Sequence, residues 1–312
     1  MSIQWFPGHM HATRKAITER MKLGIDVVIE LLDARLPGSS ANPLLAELTG
    51  GKPGLKVLNK QDTADAGRTA LWLAHYNALP GTRAIPLDAS EPAPAARLAA
   101  ACCELAPHRN GMDKPLRILI CGVPNVGKST LINTLVGKKA TKTGDEAGVT
   151  KTEQRITLAK DVYLYDTPGM LWPKIIVPES GFNLAAAGSV GKNAYDEEEV
   201  ALELLETLQV AYADRIAARY KQEKVADVPA EDLLAAIGRQ RGAVQSGGRI
   251  NMQKAAELVI TDFRTGHLGR ITLETPDEFL AWRAAGEVIE AERQIKKAQR
   301  GKKPPPQRGL PD

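Results

Sequence analysis

Gly122-Val123-Pro124-Asn125-Val126-Gly127-Lys128-Ser129-Thr130 has the residue types and spacing of a phosphate cradle. Its glycines let the backbone curl until successive amides point inward at anionic oxygens. The apolar run LRILIC before it reads as a buried strand, and LINTLVG after it reads as the opening of a helix. That strand, loop and helix context is what a nucleotide-binding P-loop requires, with the helix N-terminus adding positive potential. In this reading Asn125, Val126 and Gly127 line the cradle, Lys128 reaches the β- and γ-phosphates, Ser129 coordinates Mg²⁺, and Thr130 sits near the α-phosphate.

A base-reading group is expected elsewhere, and GLKVLNKQD at 54–62 supplies one. An apolar strand leads into Asn59, Lys60 and Asp62, an NKxD pattern. A carboxylate only accepts hydrogen bonds, so Asp62 can take both the N1–H and the 2-amino group of guanine, a donor pair that adenine lacks. Lys60 is expected along the base plane, and Asn59 is expected to tie this loop to the P-loop. A third signature, DVYLYDTPG at 161–169, ends an alternating strand on Asp166, expected to hold Mg²⁺ through water, and on Gly169, whose amide faces the γ-phosphate. Gly148, Val149 and Thr150 lie between the two phosphate motifs. There the Thr150 hydroxyl is expected to close over Mg²⁺ and the γ-phosphate. The residue after Gly169 is Met170, so no glutamine is available there to orient water.

The elements that must position these motifs are also legible. IDVVIELLD at 25–33 and TRAIPL at 82–87 read as further core strands, with ALWLAHYNAL and ARLAAACCELA as covering helices. This alternation implies a doubly wound, mostly parallel sheet. NKxD precedes the P-loop, the reverse of the usual order, so the domain is read as circularly permuted. Permutation is tolerated when domain ends lie close together at the surface. Its consequence is that the segment after Asp166 leads straight into the C-terminal third. There, DEEEVALELLETLQVAY, AEDLLAAIGRQRG, NMQKAAELVITDFRTG and the stretch from 275 repeat apolar residues three and four apart. Thr275, Pro276 and Glu278 form a helix-capping pattern and Gly266 a stop. The expected division is a permuted GTPase domain at 1–180, a smaller all-α domain at 181–298, and a basic tail at 299–312.

With these motifs in hand, the chain resembles the circularly permuted ribosome-assembly GTPases, most closely the ribosome biogenesis GTPase A (YlqF) type. The matching segments are IQWFPGHMHATRKAI at the start, DARLPGSSANP at 33–43, LNKQD, GVPNVGKST, AGVT, DTPGMLWPK at 166–174 and GHLGRITLE at 266–274. The resemblance spans nearly the whole chain. It implies GTP hydrolysis in late maturation of the large (50S) ribosomal subunit, with nucleotide-dependent binding to that precursor and its rRNA. It also implies His9, the histidine of WFPGH, as a catalytic candidate alongside Lys128 and Thr150. LDAS at 87–90 places Ala89 and Ser90 at a loose version of the guanine-side Ser-Ala loop. Asn125 matches the asparagine that resembles a potassium ligand in cation-dependent GTPases, while an asparagine favoured by its turn is the other reading.

Composition sets the outer bounds. The 312 residues are 43% hydrophobic and 4% aromatic, with a net charge of +4, which allows a nucleic-acid partner without requiring one. Cys102, Cys103 and Cys121 are too few and too poorly spaced for a metal site or a disulfide framework. No stretch approaches a membrane span and the few cysteines suit a reducing cytosol, so a cytoplasmic protein is the expectation, with a monomer as the default. Residues 293–308 carry Arg293, Lys296, Lys297, Arg300, Lys302, Lys303 and Arg308 without an acidic residue. That run is either a solvated tail or a phosphate-backbone contact to rRNA. Two other functions compete with the enzyme reading: a nucleotide-gated RNA-binding scaffold with incidental turnover, and a P-loop kinase, against which NKxD speaks.

Overall fold

The computed structural model describes residues 3–91, 94–109, 114–136 and 155–300. Within them, β1 (Val27–Asp33), β2 (Gly54–Asn59), β3 (Thr82–Pro86), β4 (Leu116–Gly122), β5 (Arg155–Ala159) and β6 (Val162–Asp166) form one sheet in the order β3-β2-β1-β4-β6-β5. All neighbours pair in parallel except β5, an antiparallel edge strand. Every residue of β1 is buried, as a central strand covered on both faces requires. Even its Glu30 is internal, where it pairs with the Lys56 ammonium and accepts the Asn42 amide at 2.7 Å.

Counting strands from β4 and continuing from β6 to β1 turns the order into 6-5-4-1-3-2, with the P-loop strand central. The permutation is therefore visible in the wiring and leaves the sheet intact. Its register sets Leu31 opposite Gly122, Asp33 opposite Asn59 and Ile120 opposite Asp166, so β2, β1, β4 and β6 bring the three motifs to the same end of the sheet. Helices α1 (His9–Lys22), α2 (Pro43–Leu48), α3 (Ala66–Asn77), α4 (Pro94–Leu105) and α5 (Lys128–Val136) join the strands and supply their cover. Where the permutation opens the chain, the two ends are stitched together. The Gln4 side chain donates to the Ile175 carbonyl at 2.8 Å and accepts the Ile175 amide at 2.9 Å.

Helices α6 (Pro178–Ala186), α7 (Glu197–Tyr220), α8 (Ala230–Gln240), α9 (Met252–Arg264) and α10 (Pro276–Arg300) follow. The boundary expected at 180/181 falls inside α6, and the last helix continues two residues past the expected 298. The apolar spacing read from sequence is the buried face: Val200, Leu204, Leu205 and Leu208 on α7 share one core with Val259, Ile260 and Phe263 on α9. The capping pattern is made, with the Glu278 carboxylate accepting the Thr275 amide at 2.7 Å and the Thr275 hydroxyl accepting the Glu278 amide at 3.3 Å. A cap of this kind contributes about 1 kcal/mol. Sequence periodicity did not show that α7 breaks at Tyr212 (φ −144°, ψ 35°). The cause is long-range: the Tyr212 hydroxyl donates to the Thr272 carbonyl at 3.1 Å and accepts its amide at 3.2 Å.

Candidate functional site

The cradle is built where β4 runs into α5. Asn125 and Gly127 take positive φ values of 57° and 99°. A side chain at Gly127 would place its Cβ 2.2 Å from Asn59 Nδ2, so only glycine allows the two motifs to meet. Lys128 is 6% exposed, and its ammonium lies 2.5 Å from Oδ1 of the fully buried Asp166. The two phosphate-side charges thus neutralise each other across the mouth of the P-loop. The segment after Asp166 is held by the Met170 amide donating to Gly122 O at 3.1 Å and by Asn42 Nδ2 donating to Met170 O at 2.8 Å. Gly169 sits against Pro124, where a Cβ would come within 3.0 Å of its Cα.

Asn59 does what its motif predicts and one thing more. Its Nδ2 donates to Val126 O at 2.8 Å, and its Oδ1 accepts the Ala89 amide at 2.8 Å. One side chain therefore joins the P-loop, the NKxD loop and the loop holding Ala89 and Ser90. The Thr134 hydroxyl on α5 adds a 2.7 Å bond to Ala89 O. Ser90 is exposed, its amide and hydroxyl both turned onto Asp88. Asp62 is also exposed, with its backbone carbonyl fixed by Arg270 Nε at 3.1 Å. An exposed carboxylate on an anchored backbone suits base recognition.

Lys60, at φ 63°, donates to Asn125 O at 2.9 Å and to Asp33 Oδ2 at 2.8 Å. Arg35 grips the same carboxylate with two bonds of 2.9 and 2.8 Å. Burial alone would raise the Asp33 carboxyl, but the Arg35 and Lys60 cations outweigh it and hold it well below the usual range. Burial lowers Lys60 in turn, with Asp33 opposing. Sequence reading missed this charge group, although Asp33 and Arg35 lie in the DARLPGSSANP segment that it singled out. It also missed that residues 266–274 brace the guanine loop from behind. Ile271 N bonds Thr63 O at 2.9 Å, Leu273 N bonds Arg35 O at 2.6 Å, and Gly266 packs on Thr63.

The other expected residues are less tightly gathered. Thr130 is exposed on α5 and Ser129 half-buried at its start. His9 is exposed in the first turn of α1, its ring 6.2 Å and edge-on from that of Trp5, and its carbonyl accepts from Thr13. Its described contacts stay within its own segment. Thr150, with Gly148 and Val149, lies outside the described residues. Asn125 adopts the left-handed turn conformation and also donates through Nδ2 to Gly188 O at 2.8 Å.

Ribosome biogenesis GTPase A of Bacillus cereus is 43% identical to this chain over 286 residues, covering 89% of this chain and 96% of that protein. The chain belongs to the ribosome biogenesis GTPase A family. It is a GTPase of ribosome biogenesis with a P-loop GTPase fold. The family described as 50S ribosome-binding GTPase matches residues 117–232, which includes the P-loop but not the permuted guanine motif at 59–62. Mitochondrial ribosome-associated GTPase 1 of Xenopus tropicalis is 32% identical, with 86% of this chain and 94% of that protein covered. GNP-bound YlqF from Thermotoga maritima superposes with a TM-score of 0.61 at 26% identity, covering 85% of this chain and 98% of that one. GTPases of this family use Mg²⁺, and the donors here fit it: a hydroxyl (Ser129) and a carboxylate (Asp166) are hard oxygen ligands suited to an octahedral ion. Among the described residues no helix is long and apolar enough to cross a membrane.

Proposed function

We propose that this GTPase acts in late maturation of the large ribosomal subunit, binding the precursor and its rRNA in a nucleotide-dependent way. The observation that carries the reading is the convergence of the guanine loop, the P-loop and the Asp166 segment at the carboxyl ends of the strands, with the helical region braced against them. In this reading Asp62 accepts from guanine, Lys60 lies against the base, and Asn59 positions Ala89 and Ser90. Asn125 to Thr130 and Gly169 bind phosphate. Mg²⁺, held by Ser129 and Thr150 and through water by Asp166, supplies charge stabilisation when bound. Lys128 leaves Asp166 for the β- and γ-phosphates, which replaces one charge pair by another of higher charge. Met170 is buried, so His9, with Thr150, is the proposed water-positioning group. Asn125 Oδ1 is the proposed K⁺ ligand.

The helical region, residues 181–298, is proposed to face the ribosome. Arg293, Lys296 and Lys297 are exposed along α10, and such a cationic helix end contacts phosphate backbones in a salt-sensitive way. The basic tail from 301 lies outside the described residues. A cytoplasmic monomer fits this role. The test is GTP turnover by the purified protein, alone and with isolated large subunits, with ATP as control. Stimulation by subunits confined to GTP is expected. Tight GTP binding without stimulation would move the function to a nucleotide-gated scaffold, a reading that the buried Met170 favours.

A further inference from the structure

Seven residues close a ring of hydrogen bonds that passes through both nucleotide loops and the ends of two helices outside the sheet, the Gly188 amide completing it by donating to the Ala185 carbonyl at 3.0 Å. Lys60 donates to the Asn125 carbonyl at 2.9 Å, and Asn125 Nδ2 donates to the carbonyl of Gly188, just past the end of α6, at 2.8 Å. The last turn of α6 is held by Arg264, whose Nε and Nη2 donate to the carbonyls of Ala186 and Ala185 at 2.8 Å each. The Arg264 carbonyl at the end of α9 accepts Arg35 Nη1 at 3.3 Å, and that of Phe263 accepts it at 3.2 Å. The Arg35 guanidinium lies 4.8 Å over the Phe263 ring and returns through Asp33 to Lys60.

The chemistry at both helix ends is consistent. Helix C-termini leave carbonyls unsatisfied and carry partial negative charge, and each is met here by a guanidinium. The two guanidiniums are linked in series, Arg35 on the α9 end and the side chain of Arg264, itself at that end, on α6. The ring therefore cannot change at Lys60 or Asn125 without a change at one of these caps, or at the caps without a change in the loops. Gly188 (φ 82°) packs on the Arg264 guanidinium, where a Cβ would lie 3.4 Å from Cζ, which fixes the turn that offers its carbonyl to Asn125.

We propose that Arg35 and Arg264 are positioning residues for nucleotide binding, setting Lys60 and Asn125 from behind and making occupancy of the site and order at the ends of α6 and α9 mutually dependent. This rests on the assignment of Lys60 and Asn125 to the nucleotide site. Linkage requires the dependence to run both ways, with couplings of this kind typically about 5- to 150-fold.

Arg264 is the group to change, because it touches no nucleotide-reading residue directly through its side chain and is half-buried, whereas Arg35 is 2% exposed. Arg264→Ala should weaken binding of a fluorescent GDP analogue about tenfold while leaving kcat at saturating GTP within about twofold. In the wild type, GDP should slow hydrogen exchange at the amides of 185–190 and 262–266, and in Arg264→Ala that slowing should be lost there and kept at 59–63. Wild-type affinity in the variant, or no GDP-dependent protection of those segments in the wild type, overturns the proposal. Should the alanine variant not fold, Arg264→Lys keeps the charge but offers a single donor group, and an affinity equal to wild type overturns the proposal equally. Asp62→Asn serves as the separate check: if it retains GDP affinity, the nucleotide-site assignment itself fails, whatever Arg264 shows.

Discussion

The guanine side and the phosphate side of the site are held in different ways. Around Lys60–Asp65 the loop is braced from behind by backbone and side-chain bonds from Arg270, Ile271 and Thr272, and from within by Asn59 and Asp33. Around Lys128 and Asp166, besides the backbone bonds that hold the Met170 segment, a buried ion pair joins two groups that are both proposed to turn to the ligand. In the proposed function the first region keeps these contacts when nucleotide arrives. The second is proposed to exchange a partner, so conformational response should concentrate where the internal contact is replaceable. It is also the side whose chain, through Ile175, is clamped by Gln4 ahead of His9 and then runs into α6.

The largest effect should come from the phosphate side. Lys128→Ala removes the phosphate cation and leaves the buried Asp166 without its ammonium partner, so binding of GTP, GDP and any other nucleoside triphosphate should fall by about 10³-fold or more. Titration with a labelled nucleotide checks this, and a loss restricted to guanine nucleotides would contradict it. On the guanine side the loss should be selective. Asp62→Asn replaces an acceptor pair by an amide that can donate, which matches the 2-carbonyl of xanthine. GTP affinity should drop by about 10²-fold or more while XTP affinity rises. The contrast between these two variants separates phosphate capture from base selection.

A smaller effect is expected from His9→Ala. If His9 orients water only in the assembled complex, kcat with large subunits should fall about 10- to 100-fold while GTP affinity holds within about twofold. Equal loss in both would return His9 to a structural part of the Trp5 segment, where its described contacts already lie.

Local features were legible in the sequence because their cause is local. Gly127 and Lys128 announce the P-loop through spacing alone, and Thr275 with Glu278 announces the start of α10. Asn59 was legible in part: its tie to the P-loop follows from the motif, while its bond to Ala89 depends on where β3 ends. Arg35 was not legible in its role, since its carbonyl partners at Phe263 and Arg264 are 228 and 229 residues away. The kink at Tyr212 was hidden for the same reason. Gly286, a weak residue for a helix interior, is explained only by the crossing of α10 over the chain after Lys174, where a Cβ would sit 2.6 Å from Ile176 O.

The smallest predicted effect concerns the seam itself. Glu274 is fully buried where the loop after Arg35 meets α6, accepting the Ser39 amide at 2.7 Å and Asn183 Nδ2 at 3.1 Å, and pairing with the Ser39 hydroxyl. Burial pushes its carboxyl up from 4.5 to about 7, against the hydrogen bonds from Ser39 and Asn183 that pull it down. Between pH 4.5 and 7 the unfolded chain therefore releases a proton that the folded chain keeps. Stability must then decline with rising pH across that window and level off above it. Glu274→Gln cannot titrate, and its amide bonds differently with Ser39 and Asn183, so its absolute stability shifts by an offset independent of pH. The informative quantity is the difference in melting temperature, variant minus wild type, which should grow by a few degrees from pH 4.5 to 8. A constant difference over that range would show that the carboxyl ionises near its ordinary value and that Ser39 and Asn183 hold a carboxylate at the seam. In that case the guanine-side bracing would owe its strength to a buried charge as well as to packing, and the two sides of the site would differ less than their geometry suggests.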